Sequence, residues 1–390
     1  MTPSARTQAA IELLDAIVAA ARDSGAAADT LIARYFSTRR YAGSKDRRAV
    51  RELVYEAIRH AGARPESGRA AMLALANANA ELAATFDGSA HGPAPIVPDE
   101  PVATGGAAPT WLINRLKSAG INAAEQKALI GRAPLDLRIN ALREVDTADL
   151  GEAIPGLPQG RRLPSGTQVD TLDAYREGAI EVQDAGSQFV TMAARAAPGQ
   201  RVVDLCAGAG GKTLALAATM ANEGAILASD TDRARLSRLA PRAERAGISI
   251  VETRLLDPGH EALTLADWAG SADVVLIDAP CSGTGTWRRN PEARWRLSPA
   301  RLDKLVLTQR QLLGIGAKLA KPGGALVFIV CSLLDEEGAG QVAAFLASHL
   351  DWSADTIDLP AGRPHGAGVR LTPAHDATDG FFVARLKRAC

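Results

Sequence analysis

The sequence predicts an α/β protein: a mostly parallel sheet covered by helices on both faces, preceded by a small mixed segment and an all-helical N-terminal domain. Three observations carry this. From about residue 200, short β-branched runs alternate with helical stretches, the pattern of parallel strands joined by crossover helices. Residues 1 to about 85 are dominated instead by Ala, Leu, Arg and Glu, which favour helix. Between these regions, Gly92-Pro93-Ala94-Pro95 and Gly105-Gly106 give residues 86–108 the composition of a linker. The expected division is therefore 1–85 helical, 86–108 linker, 109–195 small α+β segment, and 196–390 parallel-sheet domain.

The elements follow in order. The N-terminal run places Ile11, Leu14, Ile17, Val18 and Ala21 on one side of an amphipathic helix. A break at Gly43-Ser44-Lys45 precedes a second helix near Asp46 to His60, with Ser44 or Asp46 as cap. The small segment carries Leu137-Arg138-Ile139-Asn140 and ends in Ile180-Glu181-Val182-Gln183-Asp184. In the last domain the pattern predicts strands at 201–206, 225–229, 248–253, 273–277, 325–330 and 380–386. Helices are expected at 212–220, 233–246 and 300–320, the last closed by Lys321-Pro322-Gly323-Gly324.

Composition excludes several classes. A chain of 390 residues, 47% hydrophobic and 23% charged, can bury a full core without disulfides or a structural metal. Forty-four basic residues balance forty-four acidic ones, so a strongly basic whole protein is excluded, though not a basic face. The cysteines, at 206, 281, 331 and 390, are spaced too widely for a zinc site, and no metal is expected. Reduced thiols and a cytoplasmic location are the expectation. No apolar run of 18 residues predicts a membrane span, and none is expected.

The first strand of the last domain runs into Cys206-Ala207-Gly208-Ala209-Gly210-Gly211-Lys212-Thr213. Such a loop brings backbone N–H groups and a helix N-terminus against a ligand. A P-loop fails, because Cys206 stands where its first Gly is required. A nicotinamide fingerprint fits poorly, because Thr213 takes the third Gly position. A methionine-adenosine cofactor remains, and Asp230, 19 residues past Gly211, stands where an acid for its ribose belongs.

Two cysteines follow predicted buried strands, in Asp278-Ala279-Pro280-Cys281-Ser282-Gly283-Thr284-Gly285 and in Cys331-Ser332-Leu333. Ligands bind beyond the carboxyl ends of parallel strands, so both thiols and Asp278 should face the cofactor's crevice. A lone cysteine there is usually an inert small hydrophobe. Two of them with a carboxylate suggest a task that needs a thiolate. C5 of a pyrimidine is too weak a nucleophile to take a methyl group, and a thiolate added at C6 makes it competent. An acid bonded to the base edge stabilises that adduct.

Together these motifs resemble the RNA (cytosine-5) methyltransferases of the NOL1/NOP2/Sun family, over essentially residues 109–390. The resemblance implies a Rossmann-like class I methyltransferase domain using S-adenosylmethionine. It implies that Cys331 is the nucleophile, that Cys281 helps eliminate the enzyme from the methylated base, and that Asp278 sits between cofactor and cytosine. The loop from Cys206 through Ala207, Gly208, Ala209, Gly210 and Gly211 to Lys212 would hold the methionine part, Asp230 the ribose, and Asp257 would lie near the adenine. The segments at 137–140 and 181–184 resemble elements that precede the family's catalytic domain. Asp46-Arg47-Arg48 with Glu52-Leu53-Val54-Tyr55 and Ile58-Arg59 resembles a NusB-like RNA-binding domain, which implies bacterial 16S rRNA as substrate. Two positions depart from the family's habit: Ala209 replaces Pro, and Val330 replaces the Thr before the nucleophile.

Two basic regions are candidate RNA contacts. Residues 33–70 hold ten basic side chains against four acidic ones, Arg47 and Arg48 among them. Residues 287–310 hold seven against two, with Arg288, Arg289, Arg294 and Arg296 beside Trp287 and Trp295. Arginine and aromatic side chains grip phosphates and stack on unpaired bases. The competing reading makes the tryptophans core and the arginines solvated. A cytosine inside a duplex hides C6, so the target should be unpaired or flipped out. Other functions stay open: the same chemistry on tRNA or 23S rRNA, or an RNA-binding ribosome-assembly factor with a non-catalytic methyltransferase scaffold.

Overall fold

The computed structural model describes every residue except Ser24, Val145, Thr147 and Ala148. The chain forms two compact units. The first is Met1–Arg132 together with Thr286–Pro299; the second is Ala133–Gly285 with Ala300–Cys390.

The first unit is helical. Its elements are α1 (Pro3–Arg22), α2 (Ala28–Ser37), α3 (Ser44–His60), α4 (Gly68–Ala76), α5 (Ala80–Ala83), α6 (Thr110–Ser118) and α7 (Ala123–Ala128). Helix α1 starts where Thr2 accepts a hydrogen bond from the Ala5 amide, with Pro3 at the first helical position, where no N–H is needed. It buries Ala10, Leu14, Ile17 and Ala21 at helical spacing. Helix α4 is buried almost throughout, and its small residues allow close packing. A Cβ at Gly68 would lie 2.2 Å from the Ile11 carbonyl oxygen, so only glycine lets α4 approach α1 here. Leu13, Val54, Ile58 and Met72 complete this core. Each contributes about 1.5–3 kcal/mol by leaving water.

Two sequence expectations change in this unit. Residues 86–108 are not a free linker but pack back on the helices. Arg69 pairs with Glu100 at 2.5 Å and donates to the Ala94 and Pro95 carbonyls. The Ala103 amide bonds the Ala70 carbonyl, and the Gly62 amide bonds that of Thr104. Glycine and proline deny this stretch regular structure, but its backbone groups still find partners. With α6 and α7 in the same unit, the boundary falls at 132–133 rather than near 109.

The second change concerns residues 286–299. Trp295 is buried among the residues of the helical core, and Trp287 is fully buried. Arg294 is fully buried and donates to the carbonyls of Ile58 (2.6 Å), Ala61 (2.8 Å), Arg59 (3.3 Å) and Pro291. Arg296 donates to the carbonyls of Ala20, Gly25 and Ala26. Glu292 accepts from the Ala28 amide at 3.0 Å. Arg294 and Arg296 are therefore fasteners of the helical unit, because their terminal nitrogens are spent on backbone carbonyls. Arg288 is buried too, and Arg289 is half-buried. The tryptophans are core, as the competing reading had it, but the two fasteners are not solvated.

The second unit holds two sheets. The smaller contains β1 (Leu135–Ile139), β2 (Glu152–Ile154), β3 (Leu157–Leu163) and β4 (Ile180–Val182), ordered β2-β3-β1-β4 and antiparallel throughout. Asn140, just past β1, donates to the carbonyl of Gly178 before β4 and to that of Ala246, which ends the helix preceding the Val251–Leu255 strand of the larger sheet. The larger sheet contains β5 (Arg201–Asp204), β6 (Ala225–Asp230), β7 (Val251–Leu255), β8 (Ala272–Asp278), β9 (Ala320–Val330), β10 (Trp352–Asp355), β11 (Arg363–His365), β12 (Gly368–Leu371) and β13 (Phe381–Arg388). Its order is β11-β12-β13-β9-β8-β5-β6-β7, with β10 also on β13. Strands β9, β8, β5, β6 and β7 are parallel, and β10 to β13 are antiparallel additions.

The alternation of side chains along the strands builds a core on each face. Val202, Val274, Leu276, Val327 and Ile329 pack on one side. Val203, Val275, Ile277, Leu326 and Phe328 pack on the other. The chain runs from β5 outward to β7, then returns to β8 and continues to β9. The strand order thus reverses between β5 and β8, and a crevice opens there at their carboxyl ends.

Candidate active site

The carboxyl ends of four neighbouring strands carry the candidate groups: Asp204 on β5, Asp230 on β6, Asp278 on β8, and Cys331 directly after β9. The glycine loop links β5 to a helix at Gly211–Thr219. Gly210 is left-handed (φ +85°), and a Cβ there would meet Leu239 at 2.6 Å, so the loop needs glycine at this turn. The Gly208 amide donates to Asp230 Oδ2 at 2.8 Å, and the Asp232 amide donates to Oδ1 at 2.8 Å. These bonds fix the carboxylate of Asp230 beside the loop. Arg242 holds the Ala209 carbonyl from outside and also pairs with Glu181 at 2.8 Å.

Asp204, which motif reading passed over, is the deepest acid of the site. It is buried; Thr213 donates to its Oδ2 at 2.7 Å, and its Oδ1 has no partner among the described residues. Burial pushes its carboxyl up to about 7 against the opposing pull of the Thr213 bond. A buried acceptor without a donor is costly unless a ligand group completes it. The signal that could have found it was its place, an acid ending the strand that enters the glycine loop. Asp257 lies two residues past β7, exposed, with His260 at 3.4 Å. The Leu256 amide next to it bonds the Asp230 carbonyl, so Asp257 follows a backbone tied to the ribose candidate.

The two candidate cysteines meet. Cys281 Sγ and Cys331 Sγ lie 3.3 Å apart, from loops 50 residues apart in sequence. Lys212 Nζ reaches Asp278 Oδ2 at 2.6 Å and lies over the Phe381 ring at 5.5 Å from its centre. Burial pulls the Lys212 ammonium down, but the charge and hydrogen bond of Asp278 outweigh it and the net shift is upward. Lys212 thus stays cationic in the crevice. The Cys281 thiol is pushed well above its usual value, first by its hydrogen bond with Cys331, then by burial and by the charges of Cys331 and Glu337. Cys206 is also pushed up, by burial and the surrounding acids, which suits an inert loop residue rather than a nucleophile.

Beneath the thiols lies a polar network that motif reading also missed. Ser282 and Ser332 each follow a cysteine, and both hydroxyls donate to Glu337 Oε2, that of Ser332 at 2.6 Å. The Ser282 amide donates to Oε1 at 2.8 Å, and Gln309 Nε2 does so at 3.1 Å. Thr284 accepts from the Leu333 amide at 2.8 Å and lies 3.2 Å from the Ser332 hydroxyl. The Gly285 amide donates to the Cys331 carbonyl at 3.0 Å. The two cysteine loops are therefore one hydrogen-bonded assembly. Ser at the position after each cysteine was the available signal; the glutamate six residues past Cys331 carried none.

The remaining candidates lie elsewhere. Arg47 and Arg48 are exposed on α3 in the helical unit, Arg47 donating to the Ala42 carbonyl. Among the described residues no group of three or more His, Cys, Asp or Glu stands together as a metal site.

The 16S rRNA methyltransferase RsmB/F family matches residues 191–387. A probable ribosomal RNA small subunit methyltransferase B of Synechocystis is 37% identical over 303 residues, 72% of this chain and 67% of its own length. The ribosomal RNA small subunit methyltransferase B of an Enterobacter strain is 33% identical over 291 residues, 71% of this chain and 66% of its own. This chain thus spans about two thirds of the length of these curated relatives. Among solved structures, PH0851 superposes over 100% of this chain and 99% of its own with a TM-score of 0.76 and 25% identity. NSun6 from Pyrococcus horikoshii, crystallised with SFG, matches 60% of this chain and 58% of its own with a TM-score of 0.52 and 26% identity. By sequence and by fold, this chain belongs to the RsmB/F family of 16S rRNA methyltransferases.

Proposed function

We propose that this chain methylates C5 of an unpaired cytosine in ribosomal RNA, 16S by family, through a covalent adduct between Cys331 and C6. The observation that carries the reading is the pair of thiols 3.3 Å apart at strand ends, beside the Lys212–Asp278 ion pair.

The crevice fits S-adenosylmethionine. The unpartnered buried oxygen of Asp204 and the fixed carboxylate of Asp230 are acceptors for the ammonium and ribose hydroxyls of such a ligand, beside the open loop. Residues 206–212 would hold its methionine part, Asp230 its ribose, and Asp257 would lie on the adenine side. Bound there, it supplies an electrophilic methyl group.

The protein's own groups do the rest. The Cys331 thiolate adds to C6, and the C5=C6 electron pair becomes available at C5 for the methyl group. Asp278 accepts from the amino edge of the base, and the Lys212 ammonium it holds offsets the negative charge that builds there. The methylated C5 still carries its hydrogen. Once the sulfur of Cys331 is bonded to carbon, the leading cause that keeps Cys281 protonated is gone. Cys281 then yields its proton to water and takes the proton from C5. The C–H electrons re-form the C5=C6 bond and expel Cys331 as thiolate.

Labelled S-adenosylmethionine and deproteinised 16S rRNA test this with wild type, Cys331→Ala and Cys281→Ala side by side. Label at cytosine C5 that is lost in Cys331→Ala, with a protein–RNA adduct accumulating in Cys281→Ala, is the expected result. Wild-type transfer by Cys331→Ala refutes the mechanism. Label on 23S rRNA or tRNA alone moves the substrate. Cofactor binding without transfer to any RNA favours an assembly factor with a non-catalytic scaffold.

A further inference from the structure

We propose that a cavity separate from the cofactor crevice is a second ligand site, in which the Arg138 guanidinium takes the phosphate of a ribonucleotide. The segments at 137–140 and 181–184, which no step of the methyl transfer uses, build it. The cavity measures about 500 Å³, within the range of small-molecule sites. It opens between the smaller sheet and the helices Ala185–Met192 and Gly211–Thr219. It shares no residue with the glycine loop, Asp230, Asp278 or the two candidate cysteines. Leu157, Met192, Ala215 and Leu216 give it apolar walls. Arg138, on β1, lines it with only 7% of its surface exposed. Gln183 accepts from the Arg138 Nε at 2.7 Å and is itself held by Ser187 at 3.3 Å. Among the described residues the two terminal nitrogens of Arg138 have no hydrogen-bond or ion-pair partner, yet neither is closed off from the open space that Arg138 lines.

A buried cation is costly unless something pairs with it. The acids on its own face of the small sheet are spent on other arginines. Asp136, two residues before it on β1, takes Arg162 with both oxygens, at 2.7 and 3.1 Å. Glu181, opposite Arg138 in the register of β1 and β4, gives one oxygen to Arg242 at 2.8 Å and the other to Arg245. Four guanidiniums thus share two carboxylates. Arg195, also in the wall, is turned to Asp355 and to the Thr356 carbonyl. Burial pulls Arg138 down to about 10 against the charge of Glu181, which leaves it cationic at neutral pH. With Nε committed to Gln183, the two end nitrogens form the fork that takes phosphate oxygens in pairs. Gln188, in the same wall, donates its Nε2 to the Leu137 and Gln183 carbonyls at 3.0 and 2.9 Å. That leaves its Oε1 as an acceptor with no partner among the described residues. A phosphate on the guanidinium, a base against the apolar walls and an N–H or O–H on Gln188 together describe a ribonucleotide. A bare anion would use only the first.

The test is methyl NMR of the full chain labelled at its four methionines, with Met192 in the cavity wall as reporter and Met72 in the helical core as control. Cytidine monophosphate and a short oligocytidylate are titrated separately, with saturating S-adenosylhomocysteine to occupy the cofactor crevice. The expected result is a saturable shift of the Met192 methyl, none at Met72, and binding weakened about tenfold or more in Arg138→Gln. A response to the monophosphate supports the site with a free nucleotide as its ligand. A response to the oligomer alone supports it with a nucleotide of the RNA chain. Ala218→Phe fills the cavity from the Gly211–Thr219 helix with Arg138 intact, and it should abolish binding even if Arg138→Gln were to misfold. A Met192 methyl silent to both probes overturns the proposal. So does wild-type affinity in a folded Arg138→Gln or in a folded Ala218→Phe. The measurement needs no methyl transfer, so its outcome is independent of the two-thiol mechanism.

Discussion

Arg294 gives the sharpest test of how residues 286–299 are used. Helix α3 ends at His60, and the carbonyls of its last turn have no helical donors of their own. The His60 carbonyl takes the Gly106 amide, and the Ala61 carbonyl takes Trp295 Nε1 at 3.2 Å. The Ile58 carbonyl depends on Arg294 at 2.6 Å, because the Gly62 amide, its helical successor, is turned to Thr104. The Arg59 carbonyl also takes the guanidinium, at 3.3 Å. Arg294→Ala would strand these two acceptors in a buried site, at about 1–3 kcal/mol each, and leave a cavity besides. Relief from burying the guanidinium, whose pKa is pulled down to about 9 chiefly by desolvation, offsets part of this. The net expected cost is about 3 kcal/mol, which opens the end of α3 more than 100-fold faster. Amide hydrogen exchange of the α1 and α3 peptides measures it. If Arg294→Ala lost RNA affinity at least tenfold while α3 protection stayed at the wild-type level, the arginine would be a phosphate contact and the structural assignment wrong.

Two further outcomes follow from the same structure. The folded carboxyl of Asp204 is raised to about 7 from an ordinary 3.8 by burial, with Lys212, Asp278 and Asp230 as its charged neighbours. The folded state therefore holds a proton that the unfolded chain releases, so stability from this group is complete below pH 4 and is lost as pH rises through 7. The total is at most about 4 kcal/mol. Asp204→Asn should flatten the fall in melting temperature between pH 5 and 8, and a slope equal to wild type in thermal scans would contradict the burial argument. Arg48 is exposed on α3, so Arg48→Glu should weaken rRNA binding and reduce the salt slope by about one counterion, without moving the unfolding midpoint. Binding titrations at several salt concentrations check this, and an unchanged slope would remove Arg48 from the RNA surface.

What the sequence disclosed and what it withheld divide along a physical line. The parallel strands were legible because a strand buried on both faces reads as a run such as Val274-Val275-Leu276-Ile277, whatever surrounds it. The residues that end those strands were legible for the same reason: once the strands are placed, Asp230, Asp278 and Cys331 must fall on one rim. The 286–299 segment was not legible, because its arginines satisfy carbonyls whose lack of donors is a fact of three-dimensional structure. An arginine bonded to the Ile58 carbonyl and one bonded to a phosphate have the same letter and the same basic neighbours. Trp287 and Trp295, eight residues apart and flanking Pro291, were the better guide to burial than the charge count around them. The division at 132–133 escaped for a related reason: Gly and Pro report that a stretch lacks regular structure, not that it lacks packing.

The same line runs through the site itself. Cys281 and Cys331 announce their chemistry, since few positions need a thiol at a strand end. What holds the two together is a set of groups of ordinary type. A serine follows each cysteine, Gln309 belongs to a long helix, and Glu337 reads as one more surface acid in Asp335-Glu336-Glu337. Only the fold buries that third acid under both loops. The two sulfurs therefore meet at 3.3 Å because serines, a glutamine and a buried glutamate bind the two loops together, and none of those letters names the pair.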